Sequence, residues 1–203
     1  MRGMPRQKPV GFDHTQVIAA PQSRVVAAFF VPVALANWWG VNRSVTTPRA
    51  LGAYALEWED SPTRDEILGP LGGVLHGTVM DFHPRRGFFI ADLYWLPPRG
   101  EPVGPMAVDV TCTIREKRPP LPGTPAFEKE TAAGQGSPGS PGAFDSSLPP
   151  VQSAQLRIVQ TGYEESDRWK RYYEILGAEW PVALEKLKEY LEHGRGAWDL
   201  RAF

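Results

Sequence analysis

Residues 73–95 read GVLHGTVMDFHPRRGFFIADLYW, two runs rich in β-branched and aromatic residues joined by Pro84-Arg85-Arg86-Gly87. Proline offers no N–H to a ladder and glycine enters the left-handed region without steric cost, so this stretch predicts an antiparallel hairpin of Gly73–His83 and Gly87–Trp95. Working outward, Ser44–Thr47, Ala53–Glu59 and Met106–Arg115 show the same period of two between Gly and Pro boundaries. Tyr54, Leu56 and Trp58 alternate with Glu57 and Glu59, and Val108, Val110, Cys112 and Ile114 alternate with Asp109, Thr111 and Arg115. That pattern belongs to an antiparallel sheet with one wet face.

Two further strands close the set. His14–Ala20 is expected as the first, stopped by Pro21, and Ala154–Gly162 as the last, paired with Met106–Arg115. After Pro21, Val25, Val26, Phe29 and Phe30 recur at helical spacing over Gln22–Phe30; Pro32 interrupts, and Val33–Trp39 forms a second short helix closed by Gly40. From Asp167 to His193 the stripe Tyr172, Ile175, Leu176, Ala183, Leu184, Leu187 and Leu191 opposes Glu185, Lys186, Lys188, Glu189 and Glu192, the mark of a long amphipathic helix packed on the sheet. Pro181 removes an internal hydrogen bond, which predicts a kink or break between Gly177 and Pro181. The order predicts an α+β domain over 13–193, with a flexible N-terminus (1–12) and a C-terminal tail (194–203). Residues 117–153, crowded with Pro, Gly and Ser, are expected as a disordered insertion between the last two strands, because loop closure entropy rises only logarithmically with length.

Composition narrows the class of function. With 203 residues, 42% apolar and 11% aromatic, the chain has material for one core that buries roughly 70% of its unfolded surface. Lys plus Arg is 22 against 23 for Asp plus Glu, so no broad field steers the protein toward nucleic acid or an anionic membrane. The single cysteine, Cys112, cannot form an internal disulfide, and with four histidines it assembles no structural zinc site. Neither a secretory signal nor an apolar run of the roughly 20 residues needed to span a membrane is found, and a cytoplasmic location is expected.

Local residues then point to a family. Ala20-Pro21 precedes the first helix, Val31-Pro32 is followed by Asn37-Trp38-Trp39, and Gly77-Thr78-Val79 leads to Pro84; Gln160-Thr161-Gly162-Tyr163 and Ala178-Glu179-Trp180 follow, the latter with Leu184 and Leu187. In this order they resemble the activator-of-heat-shock-ATPase-like (AHSA-type) branch of the START-like, or SRPBCC, helix-grip superfamily. The resemblance implies a six- to seven-stranded antiparallel sheet wrapped around a long C-terminal helix, with two short helices after strand one and a hydrophobic cavity between sheet and helix. It implies an activity less directly, because such folds host ligand carriers, cyclases, hydrolase-like enzymes and cochaperones.

No nucleophile with an orienting base stands out, no metal ligands share a spacing, and no phosphate cradle occurs at Gly69–Gly73, so no cofactor is expected. Trp39 and Trp58 fall where the second short helix and adjoining strand flank the cavity mouth of the helix-grip fold. With His76, Tyr94, Gln160 and Trp180 they make up the candidate ligand cavity, in which aromatic walls and a few polar handles suit a flat or lipidic guest. His76 shares a face with Thr78, Met80 and Phe82 if the strand is regular. Gln160, in phase with Leu156 and Ile158, is a neutral polar group able to donate and accept. Asp92 is the possible acid if Ile90, Asp92 and Tyr94 point inward; if Phe89, Ala91, Leu93 and Trp95 do so instead, it faces water. Three readings follow. The first is binding of a hydrophobic or amphipathic small molecule; the others are a chaperone-regulating interaction module linked to stress response and a cyclase- or hydrolase-like enzyme on an aromatic or polyketide-like substrate.

Overall fold

A computed structural model describes residues 11–60, 63–115, 153–162 and 164–194. The first strand, β1 (Phe12–Ile18), leads into two short helices, α1 (Gln22–Ala27) and α2 (Pro32–Trp39). Strands β2 (Arg43–Thr46) and β3 (Gly52–Trp58) follow, then a small hairpin of β4 (Arg64–Asp65) and β5 (Gly69–Pro70). The long strands β6 (Gly73–His83), β7 (Gly87–Leu96), β8 (Val103–Arg115) and β9 (Ser153–Thr161) precede the 27-residue helix α3 (Asp167–His193). Seven strands form one antiparallel sheet in the order β1-β9-β8-β7-β6-β3-β2, and α3 lies across it in the helix-grip manner.

The expected α+β architecture is thus present, and its element ends have local causes. Pro32 starts α2, where its missing N–H is no loss, and Gly40 closes it at φ 68°, a left-handed cap. The Ser166 hydroxyl accepts the Trp169 N–H at 3.3 Å to cap α3. β1 begins at Phe12, two residues ahead of His14 and inside the segment read as a flexible N-terminus, because the Phe12 ring is buried against Trp180. Of the insertion read over 117–153, residues 117–152 lie outside the described residues, as do 1–10 and 195–203. Its flanks pair directly: Arg115 is in register with Ser153.

Of the kink or break expected between Gly177 and Pro181, no break occurs. The helix runs unbroken through Pro181. Proline leaves the Gly177 carbonyl without its donor, but Gly177 is exposed, so that carbonyl is open to solvent, while Trp180, Ala183, Leu184 and Leu187 anchor the helix beyond it. Polar ties hold the helix at both ends. Arg171 Nε donates to Asp65 Oδ2 at 2.7 Å, and the Ala19 N–H donates to Glu192 Oε1 at 2.7 Å.

The core fills the space between α3, the two short helices and the inner face of the sheet, with Ile18, Val25, Leu35, Leu56, Leu156, Ile158, Leu184 and Leu187 wholly buried. Two bulges decide which side chains of the central hairpin reach it. On β6 the register with β7 shifts at Met80, so buried Val79 and Phe82, which packs on Phe30 at 5.1 Å, both point inward. On β7 the register with both neighbours shifts across Ala91 and Asp92, and Asp92 adopts φ 48°. The extra residue turns Phe88 and Ile90 inward before it and Leu93 and Trp95 inward after it. Neither regular alternation expected for β7 therefore holds along its whole length.

Candidate functional site

Where the sheet opens from α3, a cavity of about 480 Å³ lies between them. Its floor is the sheet: Trp58 at the end of β3, Leu75 on β6, Trp95 on β7 and Gln160 on β9. Its roof is the α3 segment Tyr172, Ile175, Leu176, Glu179 and Trp180, while Trp39 on α2 and Leu68 and Leu71 of the small hairpin complete the walls. That hairpin is held by the Asp65 carboxylate, which accepts the N–H groups of Ile67 and Leu68 at 3.0 and 2.9 Å and the Arg171 guanidinium on α3. These donors hold the Asp65 carboxyl below its ordinary pKa, the Leu68 N–H contributing most and Arg171 next.

The tryptophans form a continuous aromatic wall. Trp58 meets Trp39 edge-on at 5.3 Å, Trp39 tilts against Trp180 at 4.8 Å, and Trp180 stacks on Phe12 at 5.8 Å. Trp58 Nε1 donates to the Trp39 carbonyl at 3.0 Å, tying the end of β3 to the last turn of α2, and Trp95 Nε1 donates to the Gly72 carbonyl at 2.8 Å. Trp180 is 5% exposed and its Nε1 is buried without a hydrogen-bond partner.

Among the described residues Gln160 is the buried polar residue of the core, at 2% exposure. In the sequence it follows Leu156 and Ile158 on the inward face of β9, and its amide reaches the cavity where the aliphatic positions end. Gln160 Nε2 donates to Tyr172 Oη and to Met106 Sδ, each at 3.1 Å. Burial pushes the Tyr172 phenol well above its ordinary pKa, so it stays a neutral hydroxyl in spite of the Gln160 bond, which acts the other way. Gln160, Trp39, Leu75 and Trp180 also border a deeper void of about 20 Å³ that reaches toward Tyr54, Phe88 and Ile90. The polar pole of the cavity is therefore neutral and made of hydrogen-bonding groups.

Four of the residues expected at a ligand cavity, Trp39, Trp58, Gln160 and Trp180, meet around this space. His76 and Tyr94 do not. They are cross-strand partners stacked at 5.6 Å on the sheet's outer face, where the inward neighbours Leu75, Leu93 and Trp95 leave them. Asp92 is exposed at the tip of the β7 bulge, away from the cavity, which removes it as an inward-facing acid. Tyr172 was legible as part of the helical stripe but not as the partner of Gln160, since their meeting depends on the packing of α3 over β9. Glu59 was legible as a wet-face residue of its strand and Glu179 as part of Ala178-Glu179-Trp180, neither as a rim residue, and Leu68 and Leu71 of the hairpin carried no pattern that singled them out.

The lining offers binding more readily than covalent chemistry. Among the described residues no hydrogen-bonded nucleophile and base face the cavity, and no group of three His, Cys, Asp or Glu stands together as metal ligands would. Cys112 is buried, and burial pushes its thiol up to about 12. No described helix is long and apolar enough to cross a membrane.

No family model matches the chain, and no curated protein matches it. Solved structures do. Protein Ms6760 from Mycobacterium smegmatis has a TM-score of 0.56 at 13% identity, over 90% of this chain and 91% of that one. Protein MLL2253 from Mesorhizobium loti has 0.53 at 17% identity, over 89% and 96%. The Aha1 dimer from Colwellia psychrerythraea has 0.51 at 13% identity, over 92% and 98%. At these identities the shared property is the fold, and it is the fold that the resemblance to AHSA-type helix-grip proteins implied.

Proposed function

We propose that this domain binds an apolar or amphipathic small molecule in the cavity between sheet and α3, with Gln160 and Tyr172 fixing the ligand's polar end. The observation that carries this reading is the Gln160–Tyr172 pair, neutral and buried, at the inner end of a 480 Å³ aromatic-walled space. The volume lies within the roughly 300–1,000 Å³ of small-molecule sites, and apolar walls with a few convergent polar groups are their usual make-up.

Native mass spectrometry of protein purified without detergent, followed by denaturing extraction, tests for a resident ligand. Nile red, a neutral apolar dye, tests the site directly: Gln160→Leu and Trp39→Ala are each expected to weaken its binding several-fold. Wild-type affinity in both variants would refute the assignment.

A second reading, a chaperone-regulating interaction module, is supported by the fold shared with the Aha1 dimer and requires no ligand. It predicts chaperone capture in a pull-down and a changed ATPase rate in the presence of excess protein; neither effect would be produced by a pure carrier.

A further inference from the structure

The charge around the cavity narrows the class of ligand. We propose that its occupant is an organic cation, a quaternary or protonated amine on an apolar body; this rests on the cavity reading above. The charged side chains that line the cavity are Glu59 and Glu179, both exposed at its rim, and no Lys, Arg or His among the described residues lines it. Among the described residues neither carboxylate is used in an ion pair or hydrogen bond, whereas neighbouring cations are already engaged: Arg171 by Asp65 and Glu174, Lys170 by Asp167. Lys186 lines an adjoining depression of about 220 Å³ that shares Trp39, Trp58 and Glu179 with the cavity, and it forms no ion pair with Glu179.

Carboxylates alone would describe only a solvated rim. Here they border the contiguous rings of Trp58, Trp39 and Trp180, and the negative faces of indoles attract a cation, most strongly where water is displaced. An ammonium group at the mouth would gain from both the rings and the two carboxylates, while its apolar body met Leu71, Leu75 and Ile175. A fatty-acid-like anion in the same place would face two like charges with no counter-charge in the lining.

Three probes of equal chain length separate the possibilities: octyltrimethylammonium, octanol and octanoate, each titrated below micelle formation by displacement of Nile red. The ammonium is expected to bind about tenfold more tightly than octanol, and octanoate more weakly than octanol, with the spread shrinking as salt is raised. In a Glu59→Gln/Glu179→Gln double variant, octanol affinity should be kept while the ammonium advantage falls to about threefold, the part left to the rings. Equal affinity for octanol and the ammonium in the wild type, or an undiminished preference in the double variant, would overturn the proposal and leave the cavity reading standing. Failure of all three probes to displace the dye would overturn both.

Discussion

The bulge on β7 rests on one residue in an unusual backbone state, and replacing Asp92 measures whether it is there. At φ 48° an L-residue crowds its own Cβ against the carbonyl, at roughly 1–2 kcal/mol, and Asp is among the side chains that tolerate this best. Asp92→Val places a β-branched side chain in that state. Because position 92 is exposed, no lost packing confuses the result, and the expected destabilisation is about 2 kcal/mol. Asp92→Gly removes the strain but loosens the unfolded chain, and the two effects nearly cancel, within about 0.5 kcal/mol of wild type. Urea unfolding followed by tryptophan fluorescence reads both: with a slope near 2 kcal/mol/M, Asp92→Val should lower the midpoint by about 1 M and leave the slope unchanged. The corresponding fall in Tm is about 4–8 °C. A Val variant as stable as wild type would mean a regular strand at position 92. Ile90 and Leu93 could then not both face inward, and Trp95 would not line the cavity as described.

Other predictions test neighbouring features. A Cβ on Gly77 would lie 2.8 Å from Ile90 Cγ2 and 3.0 Å from both the Ala91 carbonyl and Leu93 Cδ1; Gly77→Ala is therefore expected to lose about 1–3 kcal/mol in the same urea assay, and a neutral result would place the bulge elsewhere. Because burial pushes the Cys112 thiol up to about 12, a thiol reagent at pH 8 should label it only after unfolding; rapid labelling of the native protein would contradict its position in the core. Folding lowers the Asp65 pKa below its ordinary 3.8, so the unfolded chain takes up the proton first. The stability from this carboxylate is complete well above that value and is lost as pH falls through the folded pKa, and Asp65→Asn should flatten the acid limb of a stability–pH curve. An unchanged acid limb would show that the hairpin is not held by this charge.

Much of this architecture could be read from the chain because it is encoded locally. The period of two, interrupted by Gly and Pro, located all the long strands, and Pro32, Gly40 and the apolar stripe after Asp167 located the helices. Gln160 was found the same way, as a polar residue in phase with Leu156 and Ile158. The failures are non-local. A bulge depends on what two neighbouring strands require, so the face that His76, Thr78, Met80 and Phe82 would share in a regular strand is split at Met80, and the inward face of β7 could not be decided. His76 and Tyr94 looked like cavity residues by composition, yet each follows an inward-pointing leucine and so faces out. The β4–β5 hairpin has two-residue strands, too short for any period, although it supplies a wall of the site. Pro181 was read by its usual effect, whereas the helix packing on either side and an exposed Gly177 carbonyl let the helix continue.

The direct pairing of Arg115 with Ser153 has a consequence for how the chain can change. The sheet closes across the base of that connection, and by chain entropy alone each doubling of its length adds only about 0.6 kcal/mol of closure entropy. Met106, which touches Gln160, lies nine positions before Arg115 on β8, a span of about 30 Å along the strand. Closure entropy at one end of the sheet and the cavity at the other are thus set by different parts of β8, and a change in the length of the connection between Arg115 and Ser153 acts on the sheet through its paired ends.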